Sequence, residues 1–185
     1  RRQRQMCIRD SFKAIANSVK IPIILYNIPS RTGINIEADT IARLVKECKN
    51  IVGVKEASGS LEQMARIRHL TPKDFVLLSG DDSLTLPVLS IGGGGVISVV
   101  ANIVPRDVAN LIEEFEKGNI AKAQTIYYRL LPLVKAMFME TNPIPVKTAM
   151  GLMKLCEPTL RLPMCSMSEE NLEKLKKILR SYGLI

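Results

Sequence analysis

The chain has no tryptophan, a single histidine and only 4% aromatic residues among its 185. With so few rings there is no aromatic surface for stacking nucleobases, and the net charge of +8 has to be weighed without one. Part of that charge is local, because Arg1, Arg2, Arg4 and Arg9 are balanced only by Asp10 in the first eleven residues. Elsewhere lysines and arginines alternate with acidic residues, so no nucleic-acid partner is expected. No apolar run approaches the ~18 residues of a membrane span, and no secretory leader pattern opens the chain. No membrane partner is expected, and the expected location is cytoplasmic. The four cysteines, Cys7, Cys48, Cys156 and Cys165, are scattered without a Cys-x-x-Cys pair, the pattern of reduced thiols rather than of a zinc site. The one histidine, His69, sits among Arg66, Arg68 and Lys73 and reads as a solvated helix residue, so no metal is expected. Gly92-Gly93-Gly94-Gly95 lacks the spacing of a phosphate loop and reads as a tight turn that lets backbone approach a pocket.

What is present is a lysine at the end of an apolar run. Ile51-Val52-Gly53-Val54 is short and β-branched, the pattern of a buried parallel strand, and it ends in Lys55-Glu56. A buried ammonium is costly unless it is paired or neutral. A desolvated lysine is also the usual amine that attacks a ketone to form a Schiff base. The plainer reading is a strand-end cation paired with a carboxylate. Glu56 is the nearest candidate, but adjacent strand residues point to opposite faces and the two are not expected to meet.

Further apolar runs follow at Ile21–Tyr26, Phe75–Ser79 and Gly95–Val100, with helical patterns over Ala38–Lys49, Leu61–Leu70 and Ser83–Ser90. Phe12–Val19 reads as the last turns of a helix with Phe12, Ile15, Ala16 and Val19 inward. Such alternation predicts a parallel sheet covered by helices. Pro105 opens a helix ending near Gly118, and the remainder is wholly helical. Ile120–Met139 is expected to kink or divide at Pro132, Pro143–Leu155 follows, and Ser166-Met167-Ser168-Glu169 reads as a capping box opening a last helix. A doubly wound domain and half a barrel both fit this order.

The strand ends favour the barrel. Tyr26-Asn27, Lys55-Glu56, Ser79-Gly80-Asp81-Asp82 and Gly95-Val96-Ile97-Ser98 put reactive groups at successive C-terminal strand ends, where β/α barrels collect their chemistry. Tyr26 is either a proton shuttle within hydrogen-bond reach of a substrate or a packed core tyrosine. Arg31, in the turn Ile28 to Gly33, is either a bidentate fork for a substrate carboxylate or a solvated loop residue.

Taken together, Tyr26-Asn-Ile-Pro-Ser-Arg-Thr-Gly33, Gly53-Val-Lys-Glu-Ala-Ser-Gly59, Leu78-Ser-Gly-Asp-Asp82 and Gly95-Val-Ile-Ser-Val-Val-Ala-Asn102 resemble the dihydrodipicolinate synthase family. These are class I, Schiff-base aldolases on a (β/α)8 TIM barrel. Asn142–Lys147 and Leu160–Pro163 extend the likeness, which runs from Phe12 to Ile185. The resemblance implies an α/β fold comprising the C-terminal half of the barrel, strands five to eight, plus a C-terminal helical region. Residues 12–118 would form the partial barrel and residues 119–185 the helical region. Gln5 to Ser11 reads as a translated sequencing adaptor, so residues 1–11 are expected to be a non-native or disordered leader.

By the same resemblance, Lys55 would attack the keto carbon of pyruvate and Tyr26 would relay protons. Arg31 would hold the carboxylate of L-aspartate 4-semialdehyde, and Gly80 and Ile97 would line the pyruvate pocket. No cofactor is implied, the parent would be a homotetramer, and its product would feed lysine and diaminopimelate biosynthesis. N-acetylneuraminate lyase and keto-deoxy sugar-acid aldolases share the lysine and tyrosine and are the alternative within the family. A non-catalytic basic binding module is the alternative outside it. The family's Gly-Thr-Thr-Gly-Glu loop has no counterpart, since no Thr-Thr pair occurs in the chain. The chain is therefore expected to be part of a longer enzyme, inactive and poorly soluble by itself.

Overall fold

Four parallel strands in chain order, β1 (Ile23–Asn27), β2 (Ile51–Glu56), β3 (Val76–Ser79) and β4 (Gly95–Val96), form one sheet. The structure is a computed structural model that describes residues 2–185, and Arg1 lies outside it. β1 and β2 pair Ile23 with Ile51, then shift so that Ile24 faces Gly53, Tyr26 faces Lys55 and Asn27 faces Glu56, which passes over Val52. Lys55 is level with Leu78 on β3, and Leu78 with Gly95 on β4. The fourth strand is shorter than the run Gly95–Val100 suggested. Ser98 Oγ accepts a hydrogen bond from the Ala101 N–H at 2.8 Å, and Val100–Asn102 winds into a single 3₁₀ turn instead.

One face of the sheet is covered. Leu25, Val54 and Leu77 are almost wholly buried there with residues from helices α1 (Arg2–Ser18), α3 (Ala38–Glu47), α4 (Leu61–Leu70) and α5 (Thr85–Ser90). A short helix, α2 (Pro29–Thr32), follows β1. Ile41, Leu44, Met64 and Ile67 recur at helical spacing on α3 and α4, which is why those segments form amphipathic helices against this face. On the other face Ile24, Tyr26, Val76 and Ile97 remain 38–46% exposed.

Residues 2–11 depart from expectation. They are helical, continuous with the turns predicted from Phe12, and tied to the rest of the unit. Gln5 Oε1 accepts from the Glu37 N–H and the Thr40 hydroxyl, and its amide donates to the Asn35 carbonyl at 2.8 Å. These partners lie thirty to thirty-five residues away, so local periodicity carries no sign of them. The inward face also differs. Ala16 is buried and Phe12 packs on the core, whereas Ile15 and Val19 are exposed.

The Gly92–Gly95 turn serves packing rather than a pocket. Gly92 has φ +88°, and a Cβ on Gly93 would lie 2.3 Å from Val88 Cγ1 on α5. The Gly94 N–H donates to the Leu77 carbonyl at 2.8 Å. The turn's backbone thus lies close against both α5 and β3.

The chain separates into two compact units, Arg1–Ile97 and Ser98–Ile185. The division precedes α6 (Pro105–Glu116) instead of following it at Gly118, because α6 packs on α7 (Ile120–Ala136). α8 (Ile144–Leu152) and α9 (Glu169–Tyr182) complete the second unit. α7 runs through Pro132 undivided and ends at Ala136. Pro132 is exposed, so the carbonyl it deprives of a donor can meet water. The capping box also takes another form. Ser168 is the N-cap of α9, and its hydroxyl and N–H both donate to Glu140 Oε1, at 2.8 and 3.0 Å. The Tyr182 hydroxyl donates to Asp107 Oδ2 at 2.6 Å beneath the Arg129 guanidinium, joining α9 to α6 and α7. Burial and that carboxylate raise the Tyr182 phenol well above its ordinary range. No described helix is long and apolar enough to cross a membrane.

Candidate active site

Parallel pairing sets Tyr26 level with Lys55 one residue before each strand ends. Both side chains emerge on the uncovered face, Tyr26 44% exposed and Lys55 half-buried. Lys55 Nζ lies 4.0 Å from the Tyr26 ring centroid. The amine therefore rests over the ring face, a cation–π contact of roughly 0.5–1 kcal/mol at exposed sites. This keeps the nitrogen beside the tyrosine without tying it to a carboxylate.

Glu56 lies on the opposite face, as strand alternation requires. It is fully buried, and the donors to its carboxyl are Asn27 Nδ2 (2.9 and 3.1 Å), the Ser58 N–H (2.8 Å) and Gln63 Nε2 (3.1 Å). Lys55 is not among them. Asn27 Nδ2 also donates to Asn35 Oδ1 at 2.8 Å, and Asn27 Oδ1 accepts from the Ile36 N–H at 3.0 Å. Asn35 and Gln63 bond each other in both directions, at 2.7 and 3.1 Å. Among the described residues no buried side-chain polar atom lacks a partner. Sequence reasoning missed this network. Its signal was the residue following each of the two strand-end groups, Asn27 after Tyr26 and Glu56 after Lys55, whose side chains share the covered face.

The other anticipated residues fall on the same C-terminal rim. The Gly80 N–H donates to the Glu56 carbonyl at 2.8 Å, and the Ile97 N–H donates to the Ser79 carbonyl at 2.9 Å. A Cβ at Gly80 would come within 2.6 Å of Ala57 Cβ, so this glycine is required by the approach of two strand tips. Arg31 is exposed on α2, and no hydrogen bond or ion pair ties its guanidinium to Tyr26 or Lys55. The structure thus joins Tyr26 to Lys55, sets Gly80 and Ile97 at the strand tips, and puts Arg31 on α2, the helix that follows β1.

The chain matches the Dihydrodipicolinate synthetase family over residues 2–182. It is 60% identical over 174 residues to a 4-hydroxy-tetrahydrodipicolinate synthase of Endomicrobium trichonymphae, covering 94% of this chain and 60% of the relative. A protein of the same description from Syntrophus aciditrophicus is 54% identical with the same coverage. Among solved structures, the chain is similar to a crystal structure of dihydrodipicolinate synthase from Aquifex aeolicus, with a TM-score of 0.95 and 46% identity over 97% of this chain and 61% of that one. The chain therefore spans about 60% of the length of the curated relatives it matches. The family match begins at residue 2, inside the stretch expected to be foreign, so the adaptor reading finds no support. The matched lengths likewise lend none to the expectation of a C-terminal portion.

Proposed function

We propose, from the premise that the chain belongs to the dihydrodipicolinate synthetase family, that its parent condenses pyruvate with L-aspartate 4-semialdehyde through an imine on Lys55. One observation carries this reading: a lysine amine held over a tyrosine ring at the C-terminal rim of a parallel sheet. Lys55 Nζ attacks the keto carbon of pyruvate, water leaves, and the resulting iminium gives up a methyl proton to become an enamine. The enamine carbon then attacks the aldehyde. Tyr26 relays the protons of imine formation and of carbon–carbon bond making. The iminium is itself the electron sink, so the proposed chemistry calls on no cofactor.

Arg31 supplies a bidentate fork for the carboxylate of the semialdehyde. Gly80 and Ile97 form the pyruvate wall, and the four strands are four of the eight in a (β/α)8 barrel. In the 185 residues alone, the face bearing Tyr26 is open to water and the sheet has two free edges. Turnover and solubility are accordingly low. Assembly into a homotetramer belongs to the parent, and sedimentation of the restored protein reads it.

The test uses a restored parent, in which these residues are joined to the remaining segment of the Endomicrobium trichonymphae relative. Incubation with pyruvate and borohydride followed by peptide mapping is expected to mark Lys55. An adduct on another lysine, or none, removes the mechanism. Faster turnover of a keto-deoxy sugar acid than of aspartate semialdehyde moves the substrate assignment within the family.

A further inference from the structure

We infer that Asn27 and Glu56 are positioning residues, a buried amide–carboxyl bolt that keeps the tips of β1 and β2 in the alignment that pairs Tyr26 with Lys55. The inference takes its catalytic meaning from the function proposed above, but its geometry stands apart from it. A parallel ladder is weakest where it ends, and Tyr26 and Lys55 are the last residues but one of their strands. Past the paired Asn27 and Glu56 the backbone continues between β1 and β2 with the Ala57 N–H to the Asn27 carbonyl at 2.8 Å, while the Gly80 N–H to the Glu56 carbonyl, also at 2.8 Å, ties β2 to the end of β3. The side chains of Asn27 and Glu56 add two contacts, at 2.9 and 3.1 Å, one register position beyond the Tyr26–Lys55 pair and on the other side of the sheet.

The bolt is itself anchored. Gln63 on α4 donates to Glu56, and its hydrogen bonds with Asn35 reach back to Asn27. The Ser58 and Ile36 N–H groups close the remaining sides. Sliding β1 past β2 would leave several buried polar atoms unpaired at once, each with the full cost of its lost hydration. An apolar pair at the same positions would fill the space without fixing the alignment. A polar network with every atom satisfied admits one arrangement.

The experiment follows the ε-methylene resonance of Lys55 in the restored parent grown with ¹³C-lysine, together with kcat and pyruvate KM. The Tyr26 ring displaces that resonance upfield, and Tyr26→Leu removes the displacement and assigns it. Glu56→Gln and Asn27→Asp, each nearly isosteric, are expected to abolish the displacement and lower kcat by about 10²-fold with KM changed far less. The double variant Asn27→Asp/Glu56→Gln exchanges amide and carboxyl across the same contact and is expected to recover most of both. Gln63→Ala, on the half-buried rim of the network, gives an intermediate effect and serves if either single variant does not fold. An unmoved resonance and kcat in folded variants overturns the inference. So does a double variant that recovers the melting temperature without the resonance. If the resonance behaves as expected and Lys55 takes no pyruvate, the bolt stands and the Schiff-base reading alone falls.

Discussion

The two faces of the sheet are built from alternate residues of the same strands and have little else in common. On one side Leu25, Val54 and Leu77 are sealed under helices, with Asn27 and Glu56 saturated by hydrogen bonds among them. On the other Ile24, Tyr26, Lys55 and Val76 stand half-bare, and the only side-chain interaction that joins two of them is a lysine over a ring. Order is invested in one face, and the pair proposed to react is left on the other. Precision at a reactive pair need not come from contacts the pair makes, because its chain neighbours can supply it from behind.

The strongest way to break this contrast is Lys55→Ala, expected to erase the trapped pyruvate adduct entirely while the melting temperature of the restored parent barely moves. Persistence of the adduct would mean that the bare face is not the reactive one. Next, Tyr26→Phe keeps the amine and its ring contact but removes the hydroxyl proposed as the proton relay. Condensation should slow by ~10²–10⁴-fold with the adduct still forming. Leu77→Ala and Val76→Ala, adjacent residues on opposite faces, then give a direct comparison by chemical denaturation of the 185-residue chain itself, in which the Val76 face is open. The first should cost about 2–5 kcal/mol and the second about 0.5 kcal/mol. Equal losses would deny that the faces differ.

The smallest effect concerns a carboxyl in the second unit that resembles Glu56 in its donors but not in its burial. Asn171 and Ser168 hold the Glu140 carboxyl below its ordinary value of 4.5 through hydrogen bonds. A carboxyl lowered by folding stabilises the native state above the ordinary value, and that contribution fades as pH falls below it. Glu140→Gln should therefore lower stability at neutral pH, leave the acid end nearly unchanged and so flatten the acid limb of a stability–pH curve, as read by thermal unfolding between about pH 3 and 7.

What could be read in advance was local. Leu61–Leu70 forms a helix with the expected ends, and the strand opening at Ile51 begins where its apolar run does. Tyr26 and Lys55 could be assigned to strand ends because β-branched runs stop there. What could not be read was settled by partners distant in the chain. Gln5 becomes helical and anchored through Asn35 and Thr40. Ser168 turns to Glu140 instead of its own helix. Asn27 and Glu56 were visible as residue types, but their meeting depends on an alignment of β1 with β2 that no single strand encodes.

The passed-over Val52 has a consequence for that alignment. Ile51 is buried at the base of β2 with Val54 and Glu56. In an uninterrupted strand, residues 51 and 55 would share parity, and the amine would be driven under the helices beside an isoleucine. The supernumerary residue flips the count between base and tip, so each end obeys the side it must serve. Evolution could excise it and restore strict alternation with Lys55 still opposite Tyr26, whereas ironing the kink flat at constant length could not. Relatives in which this segment is one residue shorter are thus compatible with the same chemistry.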